Sequence, residues 1–120
     1  MAYLLQHLLT DAVHRQPDKP AVRARGRSLT YAELDTRSSQ LAYLLRERGI
    51  ERGDRVGLFF PKAVESVVAM LGVLKAGAVY VPLDPHAPAR RVSAIASDCG
   101  VRALVTTAER LAMLPSRSLA

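Results

Sequence analysis

The chain has 120 residues, 49% of them hydrophobic, and a formal net charge of +6; it is long and apolar enough to bury one core, so disorder is not the default expectation. Its longest strongly apolar stretch, residues 63–74, is interrupted by Glu65 and Ser66 and falls short of the ~20 residues a membrane-spanning helix needs. The positive charge is scattered from Arg15 to Arg117 with no basic run longer than Arg90-Arg91, and only six aromatic residues are present, which argues against a nucleic-acid partner.

The amino terminus lacks the basic start and small-residue cleavage site of a secretory signal. The single cysteine, Cys99, has no internal partner for a disulfide, and its place in an apolar helical pattern makes it a small core residue in a reducing compartment. The expected location is cytoplasmic.

Residues 3–15 put Leu4, Leu5, Leu8, Leu9, Ala12 and Val13 at helical spacing ahead of Pro17 and Pro20. His7 and His14 lie two turns apart on that helix, about 10 Å at ~1.5 Å per residue, too far to share a metal ion easily. Alternation from Ala21 to Arg25 and the turn at Arg25-Gly26-Arg27-Ser28 predict a small hairpin over 21–30, with Arg23 and Arg25 on one solvated face.

Thr30 and Glu33 form a capping box, so a helix starts there. Its inner face holds Tyr31, Leu34, Ser38, Leu41, Ala42 and Leu45, and Gly49 ends it. A turn at Arg52-Gly53-Asp54 leads into a buried parallel strand over 55–60. Pro61 fits the first position of the next helix, 62–76, which is apolar on most sides and demands cover from sheet and from other protein. Gly77 ends it, and Ala78 to Val81 reads as the next strand of a parallel crossover unit. After the loop from Pro82 to Pro88, a helix from Ala89 to Cys99 buries Val92, Ile95, Ala96 and Cys99, and a third strand spans 102–105. Thr106 and Glu109 cap a last short helix ending at Pro115, and 116–120 reads as a disordered tail. The fold class is α/β, with a mostly parallel sheet, crossover helices on both faces, and an amino-terminal helix and hairpin. Three strands and an over-apolar helix mark it as an incomplete portion of a larger domain.

Chemistry-bearing motifs fail one by one. Gly72 to Gly77 has the glycine spacing of a phosphate loop, but Ala78 and Val79 follow where Lys and Ser or Thr belong. No Gly-x-Gly-x-x-Gly and no Gly-x-Ser-x-Gly occurs, and Cys99 beside Asp98 is no triad. Asp84 and His86 are the best-placed polar pair, in a loop after a parallel strand, where Asp84 is read as a turn residue bonding backbone amides. No residue is therefore assigned a catalytic, cofactor-binding or metal-binding role.

Leu29-Thr30-Tyr31-Ala32-Glu33-Leu34 and Leu74-Lys75-Ala76-Gly77-Ala78-Val79-Tyr80-Val81-Pro82-Leu83-Asp84 closely resemble the first two sequence signatures of the adenylate-forming ligases. That group holds acyl-CoA synthetases, acyl-AMP ligases and the amino-acid adenylation domains of nonribosomal peptide synthetases. Arg52 to Val56, Pro88 with Arg90 and Arg91, and Asp98 to Thr106 extend the likeness over roughly residues 7–110. The resemblance implies that residues 1–115 form the amino-terminal portion of the large subdomain of an AMP-forming acid–thiol ligase. Such an enzyme activates a carboxylic acid with ATP and magnesium to an acyl adenylate and passes it to CoA or phosphopantetheine. The family's phosphate loop and lysine-bearing subdomain have no counterpart in these 120 residues. The chain alone is expected to bind no cofactor and to be inactive, and its expected partner is the carboxy-terminal remainder, in cis or from a split gene. The short lead before the first signature suits a free-standing ligase, while Ala78 to Pro85 resembles the amino-acid branch as well, so acyl and aminoacyl substrates both stay open. The alternative is a stand-alone non-catalytic remnant that binds a partner.

Overall fold

A computed structural model describes residues 5–61 and 63–107. Helix α1 (Leu5–Arg15) is followed by the hairpin β1 (Pro20–Ala24) and β2 (Arg27–Thr30), helix α2 (Tyr31–Glu47) and strand β3 (Arg55–Phe59). Then come α3 (Val64–Lys75), β4 (Val79–Pro82), α4 (Ala89–Asp98) and β5 (Val101–Thr106). The capped helix predicted after Thr106 and the tail at 116–120 lie outside the described residues.

β1 and β2 pair antiparallel, and β4, β3 and β5 form a separate sheet in that spatial order, parallel throughout. β3 pairs in continuous register with β4, and with β5 after a shift between Arg55 and Val56, so that Leu58 lies opposite Pro82 and Val105. From β3 the chain steps to one side through α3, then back across β3 through α4. Reversing direction while keeping one crossover hand puts the two helices on opposite faces. The core divides accordingly. Val56, Leu58, Tyr80, Ala103 and Val105 pack toward α2 and α3, whereas Phe59, Val81, Leu83 and Leu104 pack toward Val92 and Ala96 of α4.

Local chemistry fixes the boundaries. The Thr30 hydroxyl accepts from the Glu33 amide at 3.1 Å and the Glu33 carboxylate accepts from the Thr30 amide at 2.9 Å, completing the capping box. Those bonds, the Thr30 amide first, and nearby Arg37 hold the Glu33 carboxyl below its ordinary 4.5. The buried hydroxyl of Ser38 donates to the Leu34 carbonyl at 2.7 Å, so the α2 face built from Leu34, Ser38, Ala42 and Leu45 buries no unsatisfied group there. The hairpin turns on Arg25 (φ 52°) and Gly26 (φ 75°), the two positive values a two-residue type I′ turn requires.

Several expectations need correction. Pro61 does not open α3: the helix begins at Val64, and Ser66 shapes the entry by accepting from the Ala63 amide at 3.0 Å and donating to the Pro61 carbonyl at 3.2 Å. β4 starts one residue later than predicted and includes Pro82, tolerated because the strand is at the sheet edge. Arg25 sits in the turn, not beside Arg23 on a strand. Ile95 is 40% exposed and Cys99 only half-buried, because α4 settles on the sheet through Val92 and Ala96.

The largest correction concerns α3, expected to lack cover. None of its residues is exposed. α2 lies along it, Leu71 joins Leu9 of α1 and Leu34 of α2 in one cluster, and Arg27 of the hairpin donates to Glu65. This last contact, followed by a bond to the residue's own amide, keeps the Glu65 carboxyl below its ordinary 4.5. A lowered carboxyl stabilises the fold above its unfolded value and loses that contribution as pH falls through the folded one. The stability gap between the natural chain and Glu65→Gln should therefore be present near neutral pH and close as acid is added below 4.5. Urea midpoints of both proteins across that range measure it.

Candidate functional site

In an open parallel sheet, ligands bind in crevices beyond the carboxyl ends of the strands. Here β3 and β4 end side by side. A cleft of about 370 Å³ opens there, walled by Leu58 and Phe60, by Tyr80 and Pro82, and by Ser66 and Met70 of α3. A second cleft of about 290 Å³ lies on the other side of Phe60, between Leu41, Val68, Val105 and Glu65. Phe59 and Phe60 follow one another at the end of β3; strand alternation sends Phe59 into the α4 side, where it is 1% exposed, and leaves Phe60 dividing the two clefts.

The clefts are predominantly apolar, and several of their polar groups are engaged. The Ser66 hydroxyl is consumed at the start of α3. Asp84, at the rim of the first cleft, accepts from the His86 backbone amide at 2.9 Å, the turn role read from the sequence; it is the His86 amide, not its imidazole, that makes this contact. Thr106 donates to the Phe59 carbonyl at 2.5 Å. Glu65 receives Arg27 on one oxygen, while its other oxygen is shielded from solvent and has no hydrogen-bond partner among the described residues.

The remaining sequence candidates are dispersed. His14 is exposed on α1 and Arg23 and Arg25 at the hairpin tip; the side chain of His7 lies outside the described part. Lys75, the lysine of the apparent glycine loop, points away from both clefts. Its ammonium donates to the Asp35 carboxylate at 2.6 Å, the Asp35 carbonyl at 3.1 Å and the Ser39 hydroxyl at 2.9 Å, joining the end of α3 to α2. Among the described residues no three His, Cys, Asp or Glu side chains gather to hold a metal ion, and no helix is long and apolar enough to cross a membrane. The arrangement offers a shaped apolar wall with a single spare acceptor. Sequence reading missed these clefts; the one available signal was the doubled phenylalanine at a strand end.

Comparison with known proteins gives the wall its context. Over 110 residues, 92% of this chain, it is 40% identical to gramicidin S synthase 2 of Brevibacillus brevis, of which it spans 2%. It is 41% identical to zwittermicin A synthase ZmaJ of Bacillus cereus over 106 residues, 88% of this chain and 20% of that protein. The crystal structure of the nonribosomal peptide synthetase FmoA3 superposes with a TM-score of 0.90 at 36% identity, covering 96% of this chain and 12% of FmoA3. The N-terminal subdomain of Klebsiella oxytoca NpsA superposes at 0.86 and 27% identity, with 98% of this chain covering 30% of that one. This chain of 120 residues therefore spans only a small part of these relatives' length. The family model for AMP-binding enzymes matches residues 9–119, and on that match the chain belongs to the AMP-binding enzyme family, corresponding to the amino-terminal part of its adenylation domain.

Proposed function

We propose that residues 1–115 supply the amino-terminal portion of the large subdomain of an AMP-forming acid–thiol ligase, and that its acid is an amino acid or a close analogue. The observation that carries this reading is the family match spanning both signature stretches, joined to a fold whose signature residues build structure: Thr30 and Glu33 cap α2, and Lys75 and Gly77 end α3. The amino-acid branch is favoured by the relatives, which are peptide synthetases, and by an FmoA3 structure bound to alpha-methyl-L-serine-AMP. NpsA has been joined to a PCP in an artificial adenylation di-domain, which favours a carrier-borne thiol as acceptor. The half-buried single cysteine supports a cytoplasmic setting.

ATP and magnesium, which supply the adenylyl group and its charge neutralisation in such a ligase, do not fit the residues present. No carboxylate cluster offers metal ligands among the described residues, Lys75 is taken up by α2, and the Gly72–Gly77 segment ends a helix where an anion-binding loop would begin one. The contribution of this part is mechanical: a rigid sheet edge and an apolar wall against which reacting groups from elsewhere are aligned.

The test is a chimera in which these 120 residues replace the matching segment of ZmaJ, assayed by ATP–pyrophosphate exchange. Exchange with the host's own substrate is expected, and none from the 120-residue chain by itself. A soluble, folded chimera devoid of exchange would overturn the reading and favour the second one, a non-catalytic binding module, which the self-contained cover over α3 makes physically reasonable.

A further inference from the structure

We infer that the Ser28 hydroxyl is a phosphorylation site for an arginine-directed protein kinase, and that the added phosphate is clamped by Arg23 across the hairpin. Kinases of this class read basic side chains just ahead of the acceptor hydroxyl through an acidic substrate groove. Three Ser or Thr hydroxyls of this chain follow two or more arginines within five positions. Ser28 has Arg23, Arg25 and Arg27 before it, Thr30 has Arg25 and Arg27, and Ser93 has Arg90 and Arg91. Their sequence contexts leave all three open; the fold separates them. The Ser93 oxygen is shielded from solvent within α4. Thr30 is half-buried, with its hydroxyl held by the Glu33 amide. Ser28 is exposed on β2, in a two-stranded sheet of its own, so β2 keeps an unpaired edge for a groove that takes its peptide extended.

The register of the hairpin also prepares a seat for the product. Arg23 lies directly opposite Ser28, which places the two side chains on one face with Cβ atoms about 5 Å apart. Arg25, at the turn, borders the same concavity of about 460 Å³ as both of them. Arg27 pairs with Ala24 on the other face and donates to Glu65, so a phosphate on Ser28 leaves that contact alone. In the transfer the Ser28 oxygen attacks the γ-phosphorus of ATP held by the kinase. The new oxygen–phosphorus bond forms as the bond to the β-phosphate oxygen breaks, ADP leaves with that electron pair, and the serine proton passes to the kinase's base. The resulting group carries a charge of about −1.5 to −2 and accepts charge-assisted hydrogen bonds from the guanidinium opposite.

The experiment incubates the full 120-residue chain with such a kinase and ATP labelled in its γ-phosphate, and maps the label by mass spectrometry. Label on Ser28 is expected, and none in Ser28→Ala. Arg25→Gln and Arg23→Gln should each slow labelling by about five-fold, and Arg48→Gln at the end of α2 not at all; circular dichroism verifies that each variant folds. At low salt the phosphorylated chain should unfold at a higher urea concentration than the unmodified one, a shift that fades as salt is raised and is lost in Arg23→Gln. Label confined to Thr30 or Ser93, or a folded chain that takes none, overturns the site. A phosphate that lowers the urea midpoint, or raises it equally without Arg23, overturns the clamp.

Discussion

Gly72→Ala is expected to lower the stability of the fold, against the usual gain from removing a helical glycine. Alanine is favoured over glycine inside a helix by about 1 kcal/mol. At this position, however, an added Cβ would stand 2.7 Å from Leu41 Cδ2 and 2.9 Å from Leu41 Cβ and Cγ. The terminal methyl can swing away, but Leu41 Cβ is fixed to the α2 backbone, so the two helices must separate. Overpacking of this kind costs roughly 1–3 kcal/mol, which outweighs the propensity gain. Alanine should therefore lose about 1 kcal/mol net, and Gly72→Val, which adds two further methyls and β-branching, about 3 kcal/mol. Urea midpoints at an unchanged slope measure both. Adding Leu41→Ala to the Gly72→Ala chain should recover part of the loss, a non-additivity that marks direct contact. A Gly72→Ala chain more stable than the natural one would mean that α2 and α3 do not approach this closely.

The same glycine shows which parts of the molecule its sequence discloses. Elements fixed by neighbours in sequence were readable: the Thr30–Glu33 capping box, the Arg25-Gly26 turn, the buried run of β3, and the stop at Gly77 (φ 79°). Each depends on residues within a few positions of one another. What joins distant segments was not readable. Gly72 superficially began a phosphate loop, yet its role is the close approach of α3 to α2. α3 was read as uncovered because its partners, α1 and the hairpin, come from the other end of the chain. Ile95 was placed in the core by helical periodicity, but a helix resting on only part of the sheet buries a narrower stripe, here Val92 and Ala96. The clefts were invisible because a concavity belongs to three elements at once.

The arginines illustrate the same boundary. Their number invited thoughts of an anionic partner, and their scatter opposed it. In a parallel sheet with crossover helices the carboxyl ends of the helices gather at the amino ends of the strands, where unpaired carbonyls concentrate negative charge. Arg46 donates to the Lys75 carbonyl at 2.7 Å, at the end of α3, and Arg55 to the Cys99 carbonyl at 2.8 Å, at the end of α4. Part of the positive excess thus neutralises helix ends within the fold.

Lys75→Met should destabilise the chain while leaving the chemistry of a competent chimera intact. The lysine side chain is only 15% exposed, and its three acceptors all belong to α2, 36 to 40 residues earlier in sequence. Methionine keeps most of the apolar stem and removes the ammonium, leaving the Asp35 carboxylate without its cation. Full burial of an orphaned charge would cost more, but Asp35 is 37% exposed and water recovers part of the loss, so about 2 kcal/mol is expected. Asp35→Asn should lose less, and the double variant should show a coupling of about 1 kcal/mol. In the ZmaJ chimera, Lys75→Met should leave exchange per folded molecule unchanged, since the side chain points along α2 and away from the sheet end where the clefts open. Loss of exchange at unaltered stability would instead place this lysine in the reaction, and the segment from Leu74 to Pro85 would then be more than the turn that joins α3 to β4.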